Sequence, residues 1–590
     1  MNHPYSDEGA QLRAIRAYLP ALLCAVTVVL GYLIVQPYAE IGIDDDWCYI
    51  KSAQVLAQTG HLAYHCAENP MLGWQAYFGA FFIHLFGFSF TVVRISTVFE
   101  SAATAFLMER MLEGFGLNAW NATLATVSFA VSPLFLPLSF TFMTDVPGVF
   151  SIVVCLYLCL RALGAKTEGS AMAWIGLATL SSVVGGTARQ FAWLGALVMI
   201  PSTLWLLRHS RRVLVLGFLS WAISVCVVIE LMHWFARQPY ALSESPIPSG
   251  IDMEAIKALA ECGIYFPALL SVLTLPVLVA FVGRLRGWNR RIAPVFAAAC
   301  AFMLPLIALI LSGRMRIALS SATDFMTNDT FEKLDGFLSR GTHIGIAHNG
   351  LRYLVAGVVA CGLLGVVIQL MAGKRTHQDV SREDNRISWQ TIAVLLGPFS
   401  AVYIGLLAAA TLQHGISDRY LLPLLPILLL VMARYYQDAI QTNLPLICVL
   451  FIGFVGGFSV VATHDKFALS RGYVQAVNEI RSKGVPTTAV LGPFESQAWA
   501  QVEKAGYLND PRIRVPQGAY KPQPRRAPPA DCPEYPSLDL TPDLNPQYVI
   551  TLNPRDCGGQ VAFPPVMYRT WIAPHTNWIY FVSLPAPPHH

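Results

Sequence analysis

Apolar stretches, each about long enough to cross a lipid bilayer, recur from residue 17 to about residue 462. A chain built this way has few folds open to it. Backbone in hydrocarbon must satisfy its own hydrogen bonds, so each run is expected to be a helix. About 13 such runs are counted at ~20 residues per span. They centre near 17–36, 90–111, 120–138, 145–163, 172–187, 190–207, 213–232, 265–283, 293–311, 351–372, 390–411, 420–434 and 444–462. Composition agrees, since only 13% of the 590 residues are charged and 55% are hydrophobic, against ~25% charged in soluble domains. The expected fold is a mostly α, polytopic membrane bundle. A formal net charge of +4 makes no case for a nucleic-acid partner. The first run follows Arg13 and Arg16 and reads as a retained helix, because no small-residue cleavage site precedes the acidic stretch after it.

Basic residues in the short loops set the orientation. RHSRR (208–212), GRLRGWNRR (283–291) and GKRTHQDVSREDNR (373–386) fall on one side with the N-terminal arginines, and that side is taken as cytoplasmic. Segments 37–89, 139–144, 233–264, 312–350, 412–419 and everything after 463 are then outside. In the first outer loop, 37–89, DWCYIKSAQVLAQTG and MLGWQAYFGAFFIHLFG have the spacing of amphipathic helices at the interface, with Trp47, Trp74 and Tyr77 at headgroup level. Residues 463–590 are expected to form a separate α/β domain of ~120 residues, leaving 1–462 as the membrane domain. There FALSRGYVQAVNEIRSKG reads as a surface helix, and TTAVLGP, QYVITLNP and NWIYFVSLP read as strands. The Pro-rich VPQGAYKPQPRRAPPADCPEYP excludes a regular element. Cys48 and Cys66 share the first outer loop, and Cys532 and Cys557 share the C-terminal domain. These pairs are either two disulfides in an oxidising compartment or four free thiols. No Cys/His spacing matches a zinc site.

The densest acidic cluster, Asp44, Asp45 and Asp46, stands where the first helix leaves lipid. A solvated loop or helix cap is the plain explanation. Three adjacent carboxylates also raise one another's pKa unless cations or donors intervene, which suits a metal site or a general base. Asp145, beside Pro147, fits either an N-cap or a functional acid at membrane depth. Arg189 lies between two apolar runs, and His414, Asp418 and Arg419 precede another helix end. A single arginine there commonly snorkels to the interface. Two outward arginines beside two outward acid sites suit a lipid phosphate held next to a nucleophile.

In order and type these residues resemble the GT-C membrane glycosyltransferases, most nearly the branch of bacterial protein O-mannosyltransferase-like enzymes and the lipid A aminoarabinose transferase. DDWCY followed by IKSAQVLAQTG resembles the family's Asp-Glu-x-x-Tyr, helix, x-x-Gly pattern, with Asp45 and Asp46 at the acidic positions and Tyr49 at the aromatic one. FMTDVPGVF resembles its second acidic motif, and DRYLLPLLP its late Arg-Tyr-x-x-Pro segment. The sequence departs from the pattern in having Asp46 where Glu is usual, and in the extra Asp44, which leaves the choice of base among the three open. The C-terminal domain matches no acceptor motif. The resemblance implies transfer of a sugar from a polyprenyl-phosphate carrier to a hydroxyl of a protein, lipid A or another glycan, at the outer membrane face. The cysteine pattern fits a plasma membrane with an oxidising outside, expected to be the bacterial inner membrane, and an endoplasmic reticulum would keep the same sidedness. In that scheme Asp45 is the general base, with Asp46 and Asp145 as further catalytic carboxylates. Arg189, Arg419 and Tyr420 bind the donor phosphate, and Tyr49, His414 and Asp44 position substrate. A divalent cation is optional, and three consecutive aspartates do not easily converge on one ion. The alternative from another class is a secondary transporter or lipid-linked sugar flippase, which calls for ionisable groups at mid-depth and paired halves.

Overall fold

The computed structural model describes residues 5–66, 68, 70–242, 250, 252–287, 293–312, 349–372, 387–414, 417–510, 512–513, 523–524, 537–572 and 575–584. The helices are α1 (Tyr5–Val35), α2 (Asp46–Thr59), α3 (Gly73–Phe86), α4 (Phe90–Gly114), α5 (Ala119–Ala130), α6 (Phe135–Leu138), α7 (Asp145–Leu163) and α8 (Glu168–Gly186). They continue with α9 (Ile200–Leu206), α10 (Arg211–Ala236), α11 (Met253–Leu273), α12 (Leu275–Leu278) and α13 (Ala293–Ser312). After these come α14 (Asn349–Ala372), α15 (Trp389–His414), α16 (Leu425–Ala439), α17 (Ile447–Ser482), α18 (Phe494–Ala505) and α19 (Ser537–Leu540). Among the described residues ten helical segments are long and apolar enough to cross a membrane.

Of the expected 13 runs, 120–138 and 190–207 are not among these for local reasons, whereas 293–311 is helical (Ala293–Ser312) with several side chains outside the described residues. The run 120–138 is broken at Pro133, which has no N–H to continue the helix. Ser132 restarts the chain there by accepting a hydrogen bond from the amide of Phe135 at 3.1 Å. The run 190–207 is irregular. A 3-10 turn at Gln190–Ala192 and a π-helical stretch at Gly195–Met199 precede the short α9. The Ser182 hydroxyl holds this irregular backbone, donating to the carbonyl of Ala192 at 2.6 Å and accepting from the amide of Ala196 at 2.7 Å. The run placed at 265–283 starts earlier, where Asp252 caps α11 by accepting from Ala255, so part of the expected outer loop 233–264 is helix. Residues 313–348, expected outside, 373–386, expected inside, and most of the Pro-rich stretch lie outside the described residues.

Residue 463 falls inside α17, which runs unbroken from the last membrane span towards a four-stranded sheet. The strands are β1 (Val490–Leu491), β2 (Tyr548–Thr551), β3 (Gln560–Arg569) and β4 (Thr576–Ser583), in the order β1-β2-β4-β3. The β1/β2 pair is parallel and the others are antiparallel. Strand β3 has no counterpart among the expected strands. Its register slips between Val561 and Val566, across Pro564 and Pro565, which lack ladder donors. Gly472 lets α17 lie against the sheet: a Cβ there would come within 2.9 Å of Ile579 Cδ1 and 3.1 Å of Tyr568 Cβ. On its other side this region meets the first outer segment. Trp47 packs edge-on against Phe494 at 6.2 Å, and Lys51 lies 4.6 Å over Trp499. Trp47 is therefore buried between α2 and α18, not anchored in headgroups. Tyr77 remains exposed, and Trp74 packs at a tilt against Phe78 and Phe150.

A buried ion pair fixes the entrance to α2. Arg94, within α4, donates from Nε to Asp46 Oδ2 at 2.7 Å and from Nη2 to Oδ1 at 3.0 Å. The same guanidinium donates to the carbonyls of Ala39 at 2.8 Å and Ile41 at 2.7 Å. Asp46 also accepts from the amides of Ile43 at 2.7 Å and Phe142 at 3.2 Å. Removing one member of such a pair strands a charge in the interior, at a cost of about 3–5 kcal/mol. Arg94→Ala is expected to lower stability by that order in detergent-solubilised unfolding. A loss under about 1 kcal/mol would mean that the pair does not hold the loop.

Candidate active site

The turn Ile43–Asp46 sends its three carboxylates in different directions. Asp44 takes a left-handed backbone (φ 53°), which aspartate tolerates better than most residues. Asp46 is the first residue of α2, fully buried and hydrogen-bonded as above. Asp45, at the N-cap position, keeps a side chain 58% exposed and faces Arg419, whose Nη2 is 3.5 Å from Oδ2. Asp44 lies in the field of Lys466 on α17. Each acid thus faces a different cation. Asp46, grouped with the catalytic acids in the sequence, ties α2 to α4 through Arg94.

Asp145 opens α7 and is buried between two arginines. Arg189 Nη2 is 3.7 Å from its Oδ1, and Arg419 Nη1 is 4.0 Å from its Oδ2. Neither Asp145 oxygen has a hydrogen-bond partner in the protein among the described residues, and neither does Arg419 Nε. Arg189 Nη1 donates to the Thr144 hydroxyl at 3.3 Å. Both guanidiniums lie over the ring of Tyr420, at 5.1 and 5.8 Å. The Tyr403 hydroxyl donates to the carbonyl of Tyr420 at 2.7 Å and fixes this turn from α15. Tyr49 is buried on α2 within the field of Asp45, Arg419 and Arg189, and burial pushes its phenol well above the ordinary range. Asp418 is buried beside the group, with Oδ1 accepting from Ser417 at 3.0 Å and Oδ2 without a hydrogen-bond partner among the described residues.

Local packing makes this convergence. Gly148, one turn into α7, admits the Arg189 segment: a Cβ there would be 2.5 Å from Phe191 Cζ and 2.9 Å from Arg189 Cβ. Gln75 on α3 donates to the carbonyls of Phe142 and Met143 at 3.1 and 3.3 Å, setting the approach to Asp145. The structure therefore brings Asp45, Tyr49, Asp145, Arg189, Arg419 and Tyr420 together. His414 ends α15, and its side chain lies outside the described residues. Arg94, Thr144, Tyr403 and Lys466 were not singled out in the sequence. Only Arg94 carried a signal, as an arginine inside an apolar run.

Cys48 and Cys66 form a disulfide that ties α2 to the loop behind it. Cys557 is also disulfide-bonded, and Cys532 lies outside the described residues. Glu68 is buried against the first bridge, accepting from Ser52 at 2.6 Å, and burial pushes its carboxyl well above the ordinary range. Cys48, Cys66 and Glu68 are the one group with metal-ligand spacing among the described residues. With both sulfurs joined to each other, that set offers no thiolate. The divergent aspartates do not form an oxygen cage either.

No family model matches the chain, and no curated protein matches it. Solved structures similar to it are of the GT-C glycosyltransferase type. ArnT from Cupriavidus metallidurans bound to undecaprenyl phosphate is 14% identical, with a TM-score of 0.36 over 79% of this chain and 81% of that one. The Archaeoglobus fulgidus oligosaccharyltransferase in complex with Zn and sulfate is 11% identical, with a TM-score of 0.41 over 90% and 68%. The S. cerevisiae protein O-mannosyltransferase Pmt1-Pmt2 complex bound to the sugar donor is 17% identical, with a TM-score of 0.30 over 37% and 33%, so this chain spans a third of the yeast chain it matches. At these TM-scores the likeness carries no argument, and no residue role is carried across it.

The region behind Asp45 has a pH signature. Burial pushes Asp44 up from 3.8 to about 6 and Glu495, on α18, up from 4.5 to about 8, with Lys466 opposing both. A raised carboxyl pKa means that the folded state holds more protons than the unfolded state. The resulting stabilisation is complete in acid and is lost as pH rises through about 6 for Asp44 and about 8 for Glu495. Unfolding measured across this range is expected to show declining stability, with the upper part of the decline flattened in Glu495→Gln. An equally steep upper decline in that variant would contradict the assignment.

Proposed function

We propose that the chain is a membrane glycosyltransferase that moves a sugar from a polyprenyl-phosphate carrier to a hydroxyl acceptor at the outer membrane face. One observation carries this reading: two guanidiniums flank Asp145 at 3.7 and 4.0 Å, beyond hydrogen-bond reach, beside the exposed carboxylate of Asp45. Charge-assisted hydrogen bonds close to about 2.7–2.9 Å, so these arginines keep donors for an anion that enters. Arg94, by contrast, has its donors committed to Asp46 and two carbonyls.

In this mechanism Arg189 and Arg419 take the carrier phosphate, and Asp145 holds both in place. As Arg419 turns to the phosphate it releases Asp45, which accepts the proton of the acceptor hydroxyl. The oxygen attacks the anomeric carbon, and the bond from that carbon to the phosphate oxygen breaks. Its electron pair stays on the phosphate, where the guanidiniums meet the growing charge. A single displacement of this kind inverts the anomeric centre. Tyr49 and Tyr420 shape the cavity wall, and residues 463–590 form an extracytoplasmic domain over it. The setting inferred is a bacterial inner membrane with the site facing the periplasm.

Asp45→Asn is expected to insert and fold as the parent does. Its transfer from a polyprenyl-phosphate sugar in a reconstituted assay should fall by ~10²–10⁴-fold, the usual worth of a positioned base. Arg419→Lys should also lose activity, since a point ammonium does not replace a planar fork. Undiminished transfer by Asp45→Asn would remove the assigned base. Flux of the donor without a covalent product would identify a transporter instead.

A further inference from the structure

At the membrane face opposite this cluster, a second site lies between the helices. The span Asp418–Ala439 begins at the arginine cluster, and its far end is roughly 30 Å away at a helical rise. There a groove of about 670 Å³ opens between the 3-10 segment Val279–Gly287, α14 and the start of α17. Its walls include Val282, Gly283, Gly357, Val358, Tyr436 and Phe451. That volume is within the ~300–1,000 Å³ typical of ligand sites.

Glycines build the groove in two ways. A Cβ at Gly362 would come within 2.6 Å of Leu278 Cγ, and one at Gly365 would collide with the Phe281 carbonyl, so these two allow α14 to pack closely on its neighbour. Gly283 and Gly357 have nothing within 4 Å of an added Cβ. At these two positions the absent side chains leave open space, and the groove lies there.

A cation stands next in the chain to a wall residue of the groove. Arg284 follows Gly283, and its Nε donates to Gln369 Oε1 at 2.7 Å. Gln369 is buried and is itself fixed by donating to the carbonyl of Ala439 at 3.2 Å. The guanidinium is thus oriented by a buried amide reaching across three segments. Its Nη nitrogens make no hydrogen bond to the protein among the described residues. Its charge is felt at Tyr435 and at Tyr436, which lines the groove. An apolar slot that opens to lipid, with an oriented guanidinium at its polar end, complements an amphiphile with an anionic head.

We infer that this groove binds one anionic glycerophospholipid of the leaflet opposite the Arg189–Arg419 cluster, with an acyl chain along Gly357 and the head phosphate on Arg284. Basic pockets between membrane helices hold anionic headgroups in this way. The inference is independent of the sugar-transfer reading.

The test is native mass spectrometry of the full-length chain in detergent, titrated with phosphatidylglycerol or with phosphatidylcholine of the same acyl chains. The parent is expected to retain one phosphatidylglycerol in preference to phosphatidylcholine. Arg284→Gln should cut that retention roughly five- to tenfold, Gly357→Leu should displace the lipid by filling the slot, and Arg419→Gln should leave it unchanged. Equal retention of the two lipids by the parent would overturn the inference. So would loss in Arg419→Gln with none in Arg284→Gln, or displacement of the phosphatidylglycerol by an equimolar polyprenyl phosphate.

Discussion

The pair between Asp46 and Arg94 is the constraint on which the site depends. It joins the segment after α1 to a membrane helix 48 residues later in the chain, and it does so in the interior. Four further hydrogen bonds gather around it: the carbonyls of Ala39 and Ile41 and the amides of Ile43 and Phe142. Such a fully satisfied pair is costly to break from either end and specifies one arrangement of the chains that meet there. Asp45 follows from it by covalent geometry, since its neighbour cannot move. The Phe142 amide carries the same constraint to the segment that ends at Asp145.

The two ionic groups differ in a way that matters for chemistry. Around Asp46 every donor has a short contact. Around Asp145 the contacts are longer and several polar atoms have no partner among the described residues. Charges held near one another without closing are poised to change partners, and a low dielectric strengthens whichever contact forms. The two groups are therefore distinguished by how completely their hydrogen bonds are met, more than by burial, because both are buried.

The apolar runs, the position of Asp145 and the strands at 548–551 and 576–583 were legible in the sequence, because period and composition are local properties. The break at Pro133 was visible in principle, but the surrounding hydropathy hid it. Strand β3 escaped notice because Pro564 and Pro565 argue against a strand, and it survives as an edge with shifted register. The continuity of α17 across residue 463 was missed because a change from apolar to polar residues does not end a helix in the absence of a breaker. The divergence of Asp44, Asp45 and Asp46 depends on one positive φ and on partners far along the chain, Lys466, Arg419 and Arg94. No local pattern records those pairings. The groove at Gly357 was likewise invisible, since a glycine that permits contact and one that leaves space look the same in sequence.

The central claim is that the guanidiniums of Arg189 and Arg419 receive a lipid phosphate beside the carboxylate of Asp45. A structure of the chain determined with a bound polyprenyl phosphate tests this most directly. The account predicts the phosphate between the two arginines, with short hydrogen bonds to both and with Asp45 freed from Arg419. A phosphate bound elsewhere, with the arginines still closed on Asp145 and Asp45, would contradict it.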